Sequence, residues 1–246
     1  MKFDAIRIVL VETSHPGNIG STARAMKTMG LSKLYLVSPK SFPDQKAREM
    51  AAGADDVLNQ AVLTNSLEEA LQGCQLILAT SARPRDLSLP GLTPSGSAQL
   101  IAEQTEGMEI AVVFGREHAG LTNEELLRCH YHVNIPSNPD FSSLNLGQAV
   151  QIIAYELRMK LLAPKAEVEL RMDRLATAEE VEQFYSHLTE VLTAIKFLKP
   201  TNPTKRLQQR IRRLFNRARL ENKELTILRG ILSQVLYTLK SLDKGV

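Results

Sequence analysis

An α/β fold, with a parallel sheet flanked by helices and a small all-α domain after it, is what this 246-residue sequence predicts. Three observations carry the prediction. Short β-rich apolar runs alternate with helical patterns through the first two thirds, as in strands joined by crossover helices. Beyond residue 164 only helical periodicities remain. The charge divides at the same place: residues 1–164 hold 14 Lys and Arg against 17 Asp and Glu, a balance of −3, and residues 165–246 hold 16 against 10, a balance of +6. The expected domains are therefore 1–164 and 165–246.

The first strand is residues 6–11, a near-continuous apolar run. Residues 34–37, 76–79, 110–114 and 131–135 are the others. A helix is expected over 21–29, opening after Gly20. Ser66 with Glu69, and Thr122 with Glu125, have the spacing of capping boxes that start helices. Over 146–162 the residues Val150, Ile153, Ala154, Leu157 and Leu161 recur at helical spacing, and Pro164 ends the pattern. Residues 165–176 read as a charged linker. Thr177 and Glu180 then open a long helix with Val181, Phe184, Leu188, Val191, Leu192 and Ile195 on one side, broken by Pro200 and Pro203. Two more helices are expected, at about 204–217 and 223–240, the first carrying an apolar stripe of Leu207, Ile211, Leu214 and Phe215.

Composition excludes several classes. With 43% hydrophobic and 23% charged residues the chain is neither disordered nor a membrane bundle. No apolar run is long enough to span a bilayer. Lys2, Asp4, Arg7 and Glu12 in and around the first apolar stretch argue against a signal peptide. Cys74 and Cys129 lie far apart without metal spacing and read as reduced thiols of a cytoplasmic protein. His130 and His132 alternate on a strand with no third ligand nearby, so no metal site is expected. Neither GxGxxG nor GxxxxGK[ST] follows a strand, and the GxSxG elbow is missing.

The basic excess is densest over 199–219, where eight bases, mostly Arg, meet no acid. A solvated helix face is the plain alternative. Arginine forks onto phosphate oxygens, however, and such a block attracts polyanions. Arg206, Arg210, Arg212, Arg213 and Arg217 are the candidate nucleic-acid contacts.

Three polar clusters follow strand ends, where open α/β sheets bind ligands. The first is Asn18-Ile19-Gly20-Ser21-Thr22-Ala23-Arg24; Gly20 would permit a tight turn into the helix, and the cluster alone could be a helix start with a surface Arg. The second, Phe114-Gly115-Arg116-Glu117-His118-Ala119-Gly120-Leu121, could be an ordinary loop, or one whose Gly115 lets a ligand approach the backbone. In the third, Ile135-Pro136 leads to Ser142-Ser143-Leu144-Asn145-Leu146, with Ser142, Ser143 and Asn145 placed as helix caps.

Taken together, in order and spacing, these clusters resemble the three motifs of the SPOUT class of RNA methyltransferases, in its SpoU, 2′-O-ribose branch. The resemblance covers residue 1 to about 164. The segments His15-Pro16-Gly17-Asn18, Thr80-Ser81-Ala82-Arg83 and Phe141 through Leu146, with the helical extension, look closest to the bacterial tRNA enzymes that modify ribose 32 of the anticodon loop. Gly147 departs from the pattern, since small or polar residues vary there.

The resemblance implies a sheet whose C-terminal part is tied in a trefoil knot, an exception to unknotted connections. It implies S-adenosylmethionine as cofactor, with contacts at Thr80, Ser81, Ala82, Gly115, Ile135, Ser142, Ser143 and Leu144. The catalytic group falls on Asn18, Arg24, Glu117, Ser143 and Asn145. A cytoplasmic homodimer acting on tRNA cytidine or uridine is implied, with no metal, no membrane and no DNA. Arg24 is the family's presumed base. A guanidinium is charged at neutral pH and accepts no hydrogen bond, so gripping phosphate and stabilising a developing alkoxide suits it better. A ribosomal RNA substrate, or RNA binding without catalysis, remain the alternatives.

Overall fold

The computed structural model describes residues 2–81, 89–104, 107–162, 174–198 and 203–243. The chain divides into two compact units, Met1–Leu170 and Arg171–Val246. Ala82, Pro164, Pro200 and most of the expected linker lie outside the described residues.

Unit 1 is built on a seven-stranded sheet in the order β3-β2-β1-β6-β4-β7-β5, with every pairing parallel. The strands are β1 (Ile6–Val11), β2 (Lys33–Val37), β3 (Val62–Thr64), β4 (Cys74–Thr80), β5 (Gly91–Leu92), β6 (Glu109–Phe114) and β7 (Tyr131–Val133). Ile6, Ile8, Val9, Leu10 and Val11 are all buried, because helices cover both sheet faces, and this gives the unbroken apolar run. β3 and β5 leave no such signal: they are short, and β3 is half-exposed at the sheet edge. β7 stops two residues before its expected end.

The helices are α1 (Pro16–Met29), α2 (Gln45–Ala51), α3 (Asp55–Asn59), α4 (Leu67–Ala70), α5 (Pro94–Ala102), α6 (Asn123–Leu126) and α7 (Leu146–Leu162). α1 begins five residues before its expected start. Pro16 occupies the first helical turn, where its missing N–H costs nothing. Gly20 is therefore no turn residue. A Cβ there would lie 2.0 Å from the Ala47 carbonyl oxygen, so it is glycine that lets α1 and α2 meet. Gly147 does the same for α7, where a Cβ would come within 2.7 Å of Ser21 Cβ. α7 packs against both α1 and α5.

His130 is buried and accepts a hydrogen bond from the Ile77 N–H at Nδ1, 3.0 Å away. Among the described residues no cluster of three His, Cys, Asp or Glu could hold a metal. No described helix is long and apolar enough to cross a membrane.

The described part of unit 2 contains α8 (Ala178–Ala194), α9 (Pro203–Ala218) and α10 (Asn222–Asp243). Thr177 and Glu180 form a complete capping box at the start of α8. Phe184, Tyr185, Val191, Leu225 and Leu232 make the core, with Phe215 edge-on to Phe184 at 4.8 Å. Three expectations fail here. Leu214 is 54% exposed, because it falls beside rather than within the Leu207–Ile211–Phe215 row. Ile195 caps α8 and is exposed. Leu175 and Ala176, expected in the linker, are buried, and Ala176 N–H donates to the Leu220 carbonyl.

Candidate active site

The sheet reverses its winding between β1 and β6, and ligands favour the crevice beyond the strand ends at such a point. Leu10 pairs with Phe114, and Phe114 with Thr80. Thr80 pairs in turn with Val133. The loops leaving β1, β6, β4 and β7 therefore emerge side by side, which brings three distant sequence clusters together.

Glu117 is their meeting point. Its carboxylate accepts from Ser14 N at 3.1 Å, Ser14 Oγ at 2.9 Å, His15 N at 3.2 Å and Asn18 Nδ2 at 3.0 Å. Burial opposes its charge, but the donors, Asn18 foremost, outweigh that and hold the carboxyl at about 2. An ionised carboxylate only accepts, so Asn18 must turn its NH2 toward it and its oxygen away. That oxygen accepts from Asn145 Nδ2 at 2.9 Å. Asn145 Oδ1 in turn accepts from Gly147 N at 3.0 Å and caps α7. One directional chain thus runs through all three clusters.

Arg116 fastens the same loop from its other side, and the sequence reading passed over it. Nε and Nη2 donate to Glu12 at 2.9 and 2.5 Å; Nη1 and Nη2 donate to Glu125, both at 3.0 Å. Nη1 also reaches the Gly120 carbonyl at 3.4 Å. Glu12 and then Glu125 raise the guanidinium pKa further above its ordinary value. Glu12 holds a positive φ of 47°, rare for a residue with a side chain, at the end of β1. Charge order alone, an acid closing β1 and an Arg after β6, was the available signal, and only the register makes them neighbours. Arg116 and Gly120 exchange backbone hydrogen bonds. A Cβ on Gly115 would lie 2.2 Å from the Gly120 carbonyl carbon. The absent side chain at Gly115 therefore admits the loop's own backbone, while Gly115 itself lines the cleft beside it.

Two adjoining clefts result. The first is lined by Thr80, Ser81, Gly115, Ile135, Ser142, Ser143 and Leu144, as well as Glu117. Thr80 Oγ1 is spent on the Val113 carbonyl at 3.0 Å. Asn134 Nδ2 donates to the Ser81 carbonyl at 3.1 Å, which joins the β4 and β7 ends. The second cleft is lined by His15, Asn18, Arg24, Asn145, Gln148 and Gln151 among others. Arg24 is exposed there and, among the described residues, pairs with no carboxylate. It does not line the first cleft, so within one chain the five catalytic candidates divide between the two.

On α9, Arg206, Arg210, Arg213 and Arg217 recur at helical spacing along one side; Arg206, Arg210 and Arg217 are exposed and Arg213 is half-buried. Arg212 points elsewhere. It pairs with Glu182 and lies over the Tyr185 ring, 4.3 Å from its centre. Its expected place among the nucleic-acid contacts is corrected: the helical turn carries it into the packing with α8.

Comparison with known proteins adds independent findings. Residues 5–155 match the model of the SpoU rRNA Methylase family, and residues 179–244 match that of the tRNA methyltransferase TrmJ, C-terminal domain. The chain is 52% identical over 232 residues to the tRNA (cytidine/uridine-2'-O-)-methyltransferase TrmJ of Photorhabdus laumondii, covering 94% of this chain and 96% of that one. It is 52% identical over 237 residues to the protein of the same name from Pectobacterium atrosepticum, covering 96% and 98%. The crystal structure of TrmJ from Z. mobilis superposes with a TM-score of 0.82 at 35% identity, covering 93% of this chain and 98% of that one.

Proposed function

Since the chain belongs to the SpoU rRNA methylase family and matches TrmJ relatives over nearly its whole length, we propose that it methylates tRNA. In this reading the ribose 2′-oxygen of cytidine or uridine at nucleotide 32 of the anticodon loop takes the methyl group of S-adenosylmethionine and gives up its proton to solvent, and the neutral thioether S-adenosylhomocysteine leaves. The observation that carries the reading is the Glu117–Asn18–Asn145 chain beside the cleft that Ser81, Ile135, Ser142 and Leu144 line.

The first cleft fits the cofactor. Val133, Ile135 and Leu144 offer apolar walls for a purine, with Ser81, Ser142 and Ser143 beside them. Glu117 stays ionised at the lining and complements a cation. Arg116, also in the lining, gives its charge to Glu12 and Glu125 and so opposes a cation little. Thr80, Ser81, Gly115, Ile135, Ser142, Ser143 and Leu144 would hold the cofactor, together with Ala82, which lies outside the described residues. When bound, S-adenosylmethionine supplies an electrophilic methyl group on its sulfonium.

The chain's own residues align and stabilise. Glu117 fixes Asn18, and Asn18 fixes Asn145, so the cleft between them presents amides in one set orientation. Alignment of this kind can supply several kcal/mol, up to about 7–11 in favourable cases. Arg24 grips the phosphate beside the target ribose and offsets charge growing on the 2′-oxygen. Ser143 orients the ribose. DNA lacks the acceptor hydroxyl.

The trefoil knot belongs to the same reading. After β7 the chain forms the Ser142–Asn145 loop and returns as α7 onto α1, across the sheet from β7, as a threaded segment would. Two buried cysteines that form no disulfide suit a cytoplasmic setting, and a homodimer would carry Arg24 of one subunit to the cofactor cleft of the other. Unit 2 binds the tRNA backbone through Arg206, Arg210, Arg213 and Arg217.

Incubation with a radiolabelled methyl donor and total RNA, followed by mass mapping of ribose-methylated nucleotides, tests this. Label at nucleotide 32 is the expected result. Label confined to ribosomal RNA would move the substrate, and tRNA binding without label would remove the catalytic reading.

A further inference from the structure

Phe141 is 78% exposed, the most open large apolar side chain among the described residues. A lone exposed apolar residue means little, and here its position decides. The backbone around it is pinned: Phe141 N donates to the Asn138 carbonyl at 3.0 Å, Asp140 N to Asn138 Oδ1 at 3.1 Å, and Ser137 Oγ to the Ser142 carbonyl at 3.0 Å. The next three residues, Ser142, Ser143 and Leu144, all line the cofactor cleft. Neighbouring Cα atoms are about 3.8 Å apart, so the ring is rooted at the lip of that cleft. Asn145, the residue after these, joins the Asn18 chain. An aromatic ring thus stands on a braced loop where the reacting nucleotide must arrive.

We propose that Phe141 is the stacking platform for the base of the nucleotide whose ribose is methylated, an inference that rests on the function proposed above. A phenyl ring has no donor or acceptor and meets a base through its face. Asp140, exposed beside it, repels phosphate, so the contact is with the base and not the backbone. Stacking tolerates different bases, since each has a π face. A site that must position a ribose while accepting cytosine and uracil needs that tolerance.

The chain has no tryptophan, so Phe141→Trp introduces a single fluorophore at this point. With the full-length protein and cofactor, substrate tRNA quenches its emission. The same tRNA with an abasic residue at the methylated position binds without quenching. Phe141→Ala lowers kcat/KM for tRNA by about 5- to 150-fold, the usual range for losing one base stack. It leaves the Kd for S-adenosylmethionine unchanged, and Phe141→Tyr restores activity to within a few-fold. Equal quenching by the abasic tRNA overturns the proposal, as does unchanged kcat/KM in Phe141→Ala. Emission already blue-shifted without RNA overturns it too, by marking burial against a second copy. Wild-type protein assayed alongside separates the failures. If it methylates no tRNA, the proposed function falls; if it does and Phe141 is indifferent, only the stacking role falls.

Discussion

Replacing Glu117 by Gln changes one oxygen to NH2 and almost nothing in volume. The carboxylate takes four donors, Ser14 N, Ser14 Oγ, His15 N and Asn18 Nδ2. Glutamine keeps one accepting oxygen. Set at the Oε1 position, that oxygen still serves His15 and Asn18. The Ser14 N–H, shared between the two carboxylate oxygens at 3.2 and 3.1 Å, keeps the first but meets the new NH2 in place of the second, and the Ser14 hydroxyl must turn to accept. Charge-assisted bonds of about 1.5–3 kcal/mol become neutral ones of about 0.5–1.5, and the Ser14 N–H loses one of its two acceptors. The site is half open to water, so the net loss of folding stability should be about 1–2 kcal/mol. Urea unfolding should show it as a lower midpoint at unchanged slope. Turnover should fall about 10- to 100-fold, because Asn18 loses the ionised acceptor that sets its amide orientation.

The pH dependence carries a definite sign. The Glu117 carboxyl lies at about 2 in the folded chain against an ordinary 4.5. A depressed carboxyl contributes stability that is present above 4.5 and lost as pH falls toward 2. The full difference corresponds to about 3 kcal/mol for a group shielded from water, and solvent screening brings it to about 1. The stability gap between wild type and Glu117→Gln should therefore close between pH 5 and 2. A gap that stays constant from pH 7 to 3, or a variant with wild-type turnover, would refute the reasoning that an ionised Glu117 organises the site.

Arg116→Lys keeps the charge but cannot fork between Glu12 and Glu125; KM for S-adenosylmethionine should rise about tenfold or more with kcat less affected, and an unchanged KM would count against Arg116 as the brace of the cleft. Replacing Arg206, Arg210, Arg213 and Arg217 by Gln should weaken tRNA binding and flatten the slope of log K against log salt by about 3, as four lost phosphate contacts require. Arg212→Gln should instead lower Tm with little change in that slope, and the reverse pattern would reassign the helix face. Co-purified mixed dimers of Arg24→Ala with Leu144→Arg, which sets a cation into the cleft, should recover activity that neither homodimer has, because one of the two sites then combines an intact Arg24 with an intact cleft. No recovery would place Arg24 and the cleft on the same subunit.

Much of the architecture was legible because its causes are local or periodic. A strand buried on both faces must be apolar throughout, so β1 could be read directly at Ile6–Val11. A helix packed on one side repeats its apolar residues, so α7 could be read at Leu146–Leu162. The order and spacing of Asn18, Arg24, Glu117, Ser143 and Asn145 likewise lie in the chain itself, and they sufficed to suggest the family. Strand order lies beyond local pattern. Only the pairing of β1 with β6 brings Glu12 to Arg116 and Ser14 to Glu117, residues more than a hundred positions apart. Hydrogen bonds across such distances leave no periodic trace in sequence. Nor does steric contact between backbones: Gly20 reads as a turn residue, and packing against Ala47 sets its role, while Gly115 both lines the cleft and makes room for the Gly120 backbone. Composition counted Arg212 with its neighbours as one charge among many, while the turn of α9 sent it to Glu182 and Tyr185. The residues set which chemistry is available; the fold decides which groups meet, because meeting depends on distances that only the folded chain has.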